Sequence, residues 1–126
     1  MNTKNLVLST LGHTWIFDLD GTVVKHNGYK IDGEDTFLQG AKEFLTSIPA
    51  GDMIIFLTSR TEEFRDMTEK FLAKNNIRYN AIIFNAPLGE RIILNDNKPQ
   101  GLVTALAIPR QRDNWENLTI EEDPSL

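Results

Sequence analysis

The stretch Trp15-Ile16-Phe17-Asp18-Leu19-Asp20-Gly21-Thr22 decides how this chain is read. Three apolar residues run straight into two carboxylates one position apart, and Gly-Thr breaks the run at once. An apolar run without polar alternation marks a strand buried on both faces, as in a parallel sheet beneath helices. Gly21 permits a sharp exit, so both carboxylates can face one space at the strand's carboxyl end. In open α/β sheets that end is where ligands bind.

Working outward, Met53–Leu57 repeats the pattern, as do Ala81–Phe84 and Ile92–Leu94; Ala105–Ile108 does so more weakly. Between the first two runs, Phe37, Ala41, Phe44, Leu45 and Ile48 recur at helical spacing, and Pro49-Ala50-Gly51 ends that helix. Phe64, Met67, Phe71 and Leu72 form a second stripe, with Ser59 and Glu62 spaced as a capping box and Asn75-Asn76 as a stop. Strands alternating with helices predict an α/β domain whose central, mostly parallel sheet is flanked by helices. The domain is expected over residues 1–110. Residues 111–126 read as an acidic C-terminal tail with a lone Trp115, whose docking stays open. Residues 25–36 leave room for a short flap but not for a cap domain.

The 126 residues carry a formal charge of -5 and no cysteine, which excludes disulfides and thiolate metal sites and fits a cytoplasmic protein. No apolar run reaches the ~18 residues of a membrane span. An acidic chain without a Lys/Arg cluster argues against nucleic-acid and membrane partners. A phosphorylated substrate would need a cation to offset repulsion, and a bound metal is one answer.

The strand ends carry the chemistry. A carboxylate can attack phosphorus to give an acyl phosphate, and a second can protonate the leaving oxygen and then activate water. One or two carboxylates with phosphate oxygens and water suit Mg²⁺. The plain alternative for Asp18 and Asp20 is a turn with a solvated pair. Thr58 and Ser59 follow the second run where a helix begins, which makes either a phosphate cradle or a helix cap. Asn95-Asp96-Asn97-Lys98-Pro99 ends the fourth run with a third carboxylate and a base, or is a polar turn.

With those residues in view, the chain resembles the haloacid dehalogenase (HAD) superfamily of aspartate-nucleophile phosphohydrolases, over residues 14 to about 108. "FDLDGTV" is similar to its first motif, "IIFLTSR" to its second and "IILNDNKP" to its fourth. The resemblance implies a Rossmann-like fold of the small, capless, phosphatase-like branch. It implies Asp18 as nucleophile and Asp20 as acid/base, with Thr58 and neighbouring Ser59 on the phosphoryl group. Mg²⁺ would be held by Asp18, Asp20 (through its main-chain carbonyl) and Asp96. The family's third-motif Lys or Arg, usually on a helix before the fourth motif, has no visible counterpart. Lys98, two positions past Asp96, is the candidate. Arg91 opens the fourth run, and at ~3.3 Å per residue it should lie about 16 Å from Asp96, at the wrong end. Arg60 reads as a surface or substrate-contacting residue, and His26 as a solvated flap histidine or a substrate contact. The expected function is a Mg²⁺-dependent phosphomonoester hydrolase, acting on a small phosphorylated metabolite such as a sugar phosphate. The alternative is a non-catalytic module that binds a phosphate ligand or a partner. A capless site is open, so it needs either a large substrate that closes it or a second copy of the chain that supplies a wall.

Overall fold

The computed structural model describes the backbone of residues 3–126 and the side chains from Lys4 onward. Met1 and Asn2, the start of the span 1–110, lie outside the described residues. The chain is a small α/β fold, Rossmann-like, with parallel sheets. Strands β1 (Thr3–Leu8), β2 (Thr14–Phe17), β3 (Met53–Leu57), β4 (Ala81–Ile83) and β5 (Asn117–Glu122) are joined by three helices. These are α1 (Gly28–Ile31), α2 (Ala41–Ser47) and α3 (Arg65–Lys74), the last preceded by a 3-10 turn at Glu62–Phe64.

The central sheet has the order β2-β3-β4, all parallel, with Phe17 opposite Phe56 and Phe56 opposite Ile82. The three apolar runs at 15–17, 53–57 and 81–84 therefore become neighbouring strands. Each crossover carries helix: α1 and α2 between β2 and β3, and α3 between β3 and β4. Right-handed crossovers that advance in one direction place their helices on the same face. Side chains along each strand alternate accordingly. Phe17, Ile54 and Phe56 join Ala41, Leu45, Ile48, Leu72 and Ile77 in the core, while Ile16, Met53 and Ile83 point the other way and stay about half exposed. Burial on both faces, which the runs predict, holds for one face only. Among the described residues no helix returns after β4 to cover the second.

The 92–94 run corrects a sequence expectation. It forms no strand, and Ile92 and Leu94 are 81% and 87% exposed. Too few residues separate it from β4 for a parallel crossover, and an apolar segment without a partner has no ladder to join. Ala105–Ile108 is likewise without regular structure. Instead Asn95–Thr104 folds back on itself: Lys98 N–H donates to Leu102 O (2.9 Å), and the Thr104 hydroxyl donates to Asp96 O.

The segment 111–126 is docked. β5 pairs in parallel with β1 along their full lengths, Thr3 opposite Asn117 and Leu8 opposite Glu122. Trp115 is 8% exposed, its ring 5.4 Å from that of Phe44 and under the Arg110 guanidinium. Gly40 makes room for it: at φ 95° no side chain is comfortable, and a Cβ there would lie 3.0 Å from the indole. Residues 3–8, polar in their first half, give no strand signal alone; their partner is more than a hundred residues away. No helix among the described residues is long and apolar enough to cross a membrane.

Candidate functional site

The site grows out of the carboxyl end of β2. Past Phe17 the backbone stays extended long enough to put Leu19 into the core (2% exposed), with Asp18 and Asp20 on a cleft of about 530 Å³. Leu19 O then accepts from the N–H groups of Thr22, Val23 and Val24 at 3.0–3.2 Å, and Gly21 turns at φ 82°. Val23 and Val24 are buried and anchor the loop. Beyond them the chain makes the flap. Val24 bridges Phe37, Lys25 N–H donates to Thr36 O, and Leu38 N–H donates to Val23 O, with α1 at the tip.

Asp18 is held from two sides. One oxygen accepts from the Thr22 hydroxyl at 2.9 Å and the other from the Arg91 guanidinium at 3.0 Å. The placement of Arg91 corrects the expectation that it lies at the wrong end of a strand, because that strand does not exist. Asn85 N–H donates to Arg60 O and Ala86 N–H to Thr58 O, pinning the chain after β4 to the end of β3. The bend at Leu88-Gly89 then carries Arg91 over Asp18. Lys98 is exposed and does not line the cleft.

Arg60, expected at the surface or against substrate, lines the cleft but is only 3% exposed. All five of its N–H donors are used. Nε and NH2 reach the two oxygens of Asp20 (2.9 and 3.0 Å), NH2 and NH1 reach Asp35 (2.7 and 2.9 Å), and NH1 also reaches the Thr68 hydroxyl (2.9 Å). The Tyr29 ring covers the guanidinium at 4.0 Å. Burial works to lower its pKa, but the hydrogen bonds to Asp35 and Asp20 outweigh burial and raise it, so the cation is permanent. A signal existed in the sequence. A charged residue three positions past a buried strand and ahead of a helix needs a partner if it is buried, and the flap carries one in Asp35.

Thr58 is fully buried, and its hydroxyl accepts from Arg60 N–H at 3.1 Å, so it braces the turn. Ser59, next to it, lines the cleft, with its hydroxyl 3.4 Å from Arg91. His26 also lines the cleft. Its N–H donates to Asp113 (2.7 Å), and its Nδ1 has no partner.

The structure thus brings Asp18, Asp20 and Ser59 together and leaves Thr58, Asp96 and Lys98 outside the lining. For Mg²⁺ the set Asp18, Asp20 and Asp96 does not fit as it stands. Asp96 sits in the exposed 95–104 excursion, outside the cleft lining, and among the described residues no three acidic or histidine side chains gather to hold a metal.

No protein-family model matches the chain, and no curated protein matches it. Two solved structures do. A chain in the structure of a Pnkp1/Rnl/Hen1 complex is 28% identical, with a TM-score of 0.51, over 66% of this chain and 31% of that one. A chain in the structure of the Pnkp1/Rnl/Hen1 RNA repair complex is 28% identical, with a TM-score of 0.51, over 67% of this chain and 29% of that one. The chain spans about a third of the length of the proteins it matches, and it resembles part of an RNA repair assembly.

Proposed function

We propose that the chain is a phosphomonoester hydrolase with Asp18 as nucleophile. The observation that supports this best is the pairing at the end of β2. Asp18 faces an open cleft with a guanidinium on one oxygen and a hydroxyl on the other, and Asp20 lies beside it, held rigidly. In the first step an Asp18 oxygen attacks phosphorus and the ester P–O bond breaks; Asp20, once it has turned one oxygen from Arg60 and taken up a proton from solvent, delivers that proton to the leaving alkoxide. In the second, water attacks the same phosphorus, Asp20 takes its proton, and the carboxylate leaves with phosphate released. Arg91 stabilises charge on the equatorial oxygens, and Ser59 is placed to donate to them. Arg60 sets the direction in which Asp20 faces. Mg²⁺ belongs to the proposal as a requirement to be measured. When bound it would neutralise phosphate charge.

A sugar phosphate is one substrate class. The RNA repair setting of the matched chains favours a phosphorylated RNA end, which the net charge of the whole chain argues against but the cleft does not. Of its lining residues four are Lys or Arg and two are Asp. A second copy of the chain as a further wall is also part of the proposal, read by sedimentation.

The test is turnover of an aryl phosphate with and without Mg²⁺, on wild type and Asp18→Asn. Turnover abolished by the substitution supports the nucleophile, and turnover that survives it removes Asp18 from that role. The second reading, a phosphate-binding module without catalysis, is favoured by the placement of Asp96. It predicts that inorganic phosphate binds while no ester is turned over.

A further inference from the structure

The two carboxylates that line the cleft are already matched: Asp18 by Arg91, and Asp20 by Arg60, whose remaining charge faces Asp35. Two cations of the lining are left over. Lys30, on α1, has aromatic rings rather than a carboxylate beside it, with Nζ 5.6 Å from the Tyr29 centroid and 5.9 Å from that of Phe64. Arg112 has neither an ion pair nor a hydrogen-bond partner among the described residues, and the buried Nδ1 of His26, in the same lining, is also unpartnered among them.

Arg112 is not a side chain left to wander. Its neighbour Asp113 donates its N–H to Gly21 O (2.8 Å) and accepts from His26 N–H (2.7 Å). Asp113 takes a left-handed backbone conformation, φ 62°, to do both. Two residues on, Trp115 is buried against Phe44. The Arg112 Cγ lies only 3.0 Å from where a Gly21 Cβ would stand, so the absence of a side chain at 21 admits it. The fold therefore brings a cation from a segment remote in sequence to the rim of the site and, among the described residues, gives it no counter-charge. An unpaired cation held in a concave wall is the arrangement that recruits an anion.

We infer that Lys30 and Arg112 form a second anion subsite beside the Asp18 centre, built for a substrate that carries a further phosphate group next to the one removed. This rests on the hydrolase reading of the same cleft and deepens it. Chemistry common to a sugar bisphosphate and to the terminal nucleotide of an RNA satisfies it: one phosphomonoester at Asp18 and one more phosphate within the cleft.

The experiment compares affinities within pairs that differ only by the second phosphate. The first pair is a hexose monophosphate and its bisphosphate; the second is a nucleoside 3′-phosphate and the 3′,5′-bisphosphate. Binding is measured by calorimetry on the full chain carrying Asp18→Asn, so that it is read without turnover. Wild-type residues at 30 and 112 should give a preference of about tenfold or more for the doubly phosphorylated member, the worth of a hydrogen bond to a charged group. Arg112→Gln and Lys30→Gln should each reduce that ratio towards one, and Arg112→Lys should restore part of it. Which pair shows the larger ratio identifies the sugar or the nucleotide source. A ratio near one before substitution, or a ratio untouched by both glutamines, overturns the subsite. Absence of ester turnover in the Asp18-bearing chain would instead count against the hydrolase, while the binding ratio still decides the subsite.

Discussion

Replacing Arg60 with methionine is the sharpest perturbation this fold offers. The side chain keeps its apolar stem beneath the Tyr29 ring but loses five N–H donors at once. Asp35, 1% exposed at its side chain, is left as a buried carboxylate facing nothing, and Asp20, 16% exposed, keeps only what the cleft supplies. Breaking a buried pair by removing one partner costs about 3–5 kcal/mol, against about 5–15 kcal/mol for the whole of a domain this size. Urea unfolding followed by the fluorescence of Trp15 and Trp115 measures it. Arg60→Met should lower stability by about 3–5 kcal/mol. Adding Asp35→Asn to the same chain should return much of the loss, because no buried charge is then orphaned. Activity should stay low in both, since neither restores the grip on Asp20. A loss under about 1 kcal/mol, the worth of an exposed ion pair, would refute the claim that this guanidinium is a buried tie. So would a double variant no more stable than the single one.

Three further outcomes follow from the same geometry. Arg91→Ala should lower kcat for an aryl phosphate by roughly 10²-fold, as removal of a preorganised donor to a reacting oxygen does, while Lys98→Ala should change it far less; comparable losses would move the cation. Asp52 is buried, which alone would raise its pKa. The indole N–H of Trp15, the His13 N–H and the nearby His13 imidazole outweigh that and lower it. Its contribution is therefore present above the ordinary carboxylate value and lost as pH falls through the depressed one, so acid unfolding below the ordinary carboxylate range should be less steep in Asp52→Asn. Trp115→Ala should destabilise by about 3–5 kcal/mol as a truncated core aromatic and loosen β5, visible as faster amide exchange along Asn117–Glu122.

Apolar continuity marked β2, β3 and β4 because those strands are built by local crossovers of the expected length, each with a helix whose stripe could be counted. The same signal failed at Ile92–Leu94, where the residues are right but no neighbour lies within reach. It was silent at Thr3–Leu8, whose partner Asn117–Glu122 is fixed by three-dimensional closure alone. At the site, Asp18, Asp20 and Gly21 were legible because one turn contains them. Arg91 was not, since a ruler laid along a strand that does not form gives the wrong end. Arg60 was visible as a charge but not as a buried one, because its partners Asp20 and Asp35 lie 40 and 25 positions away.

The fork of Arg60 has a mechanical meaning. One tine grips the loop after β2 and the other grips Asp35 on the returning leg of the flap, so the two move as one piece. Any swing of residues 28–35 away from the body would drag the Asp20 carboxylate with it. The other part of the cleft lining, Leu88-Gly89 and Arg91, has no such tie: among the described residues no backbone-to-backbone hydrogen bond holds residues 87–97.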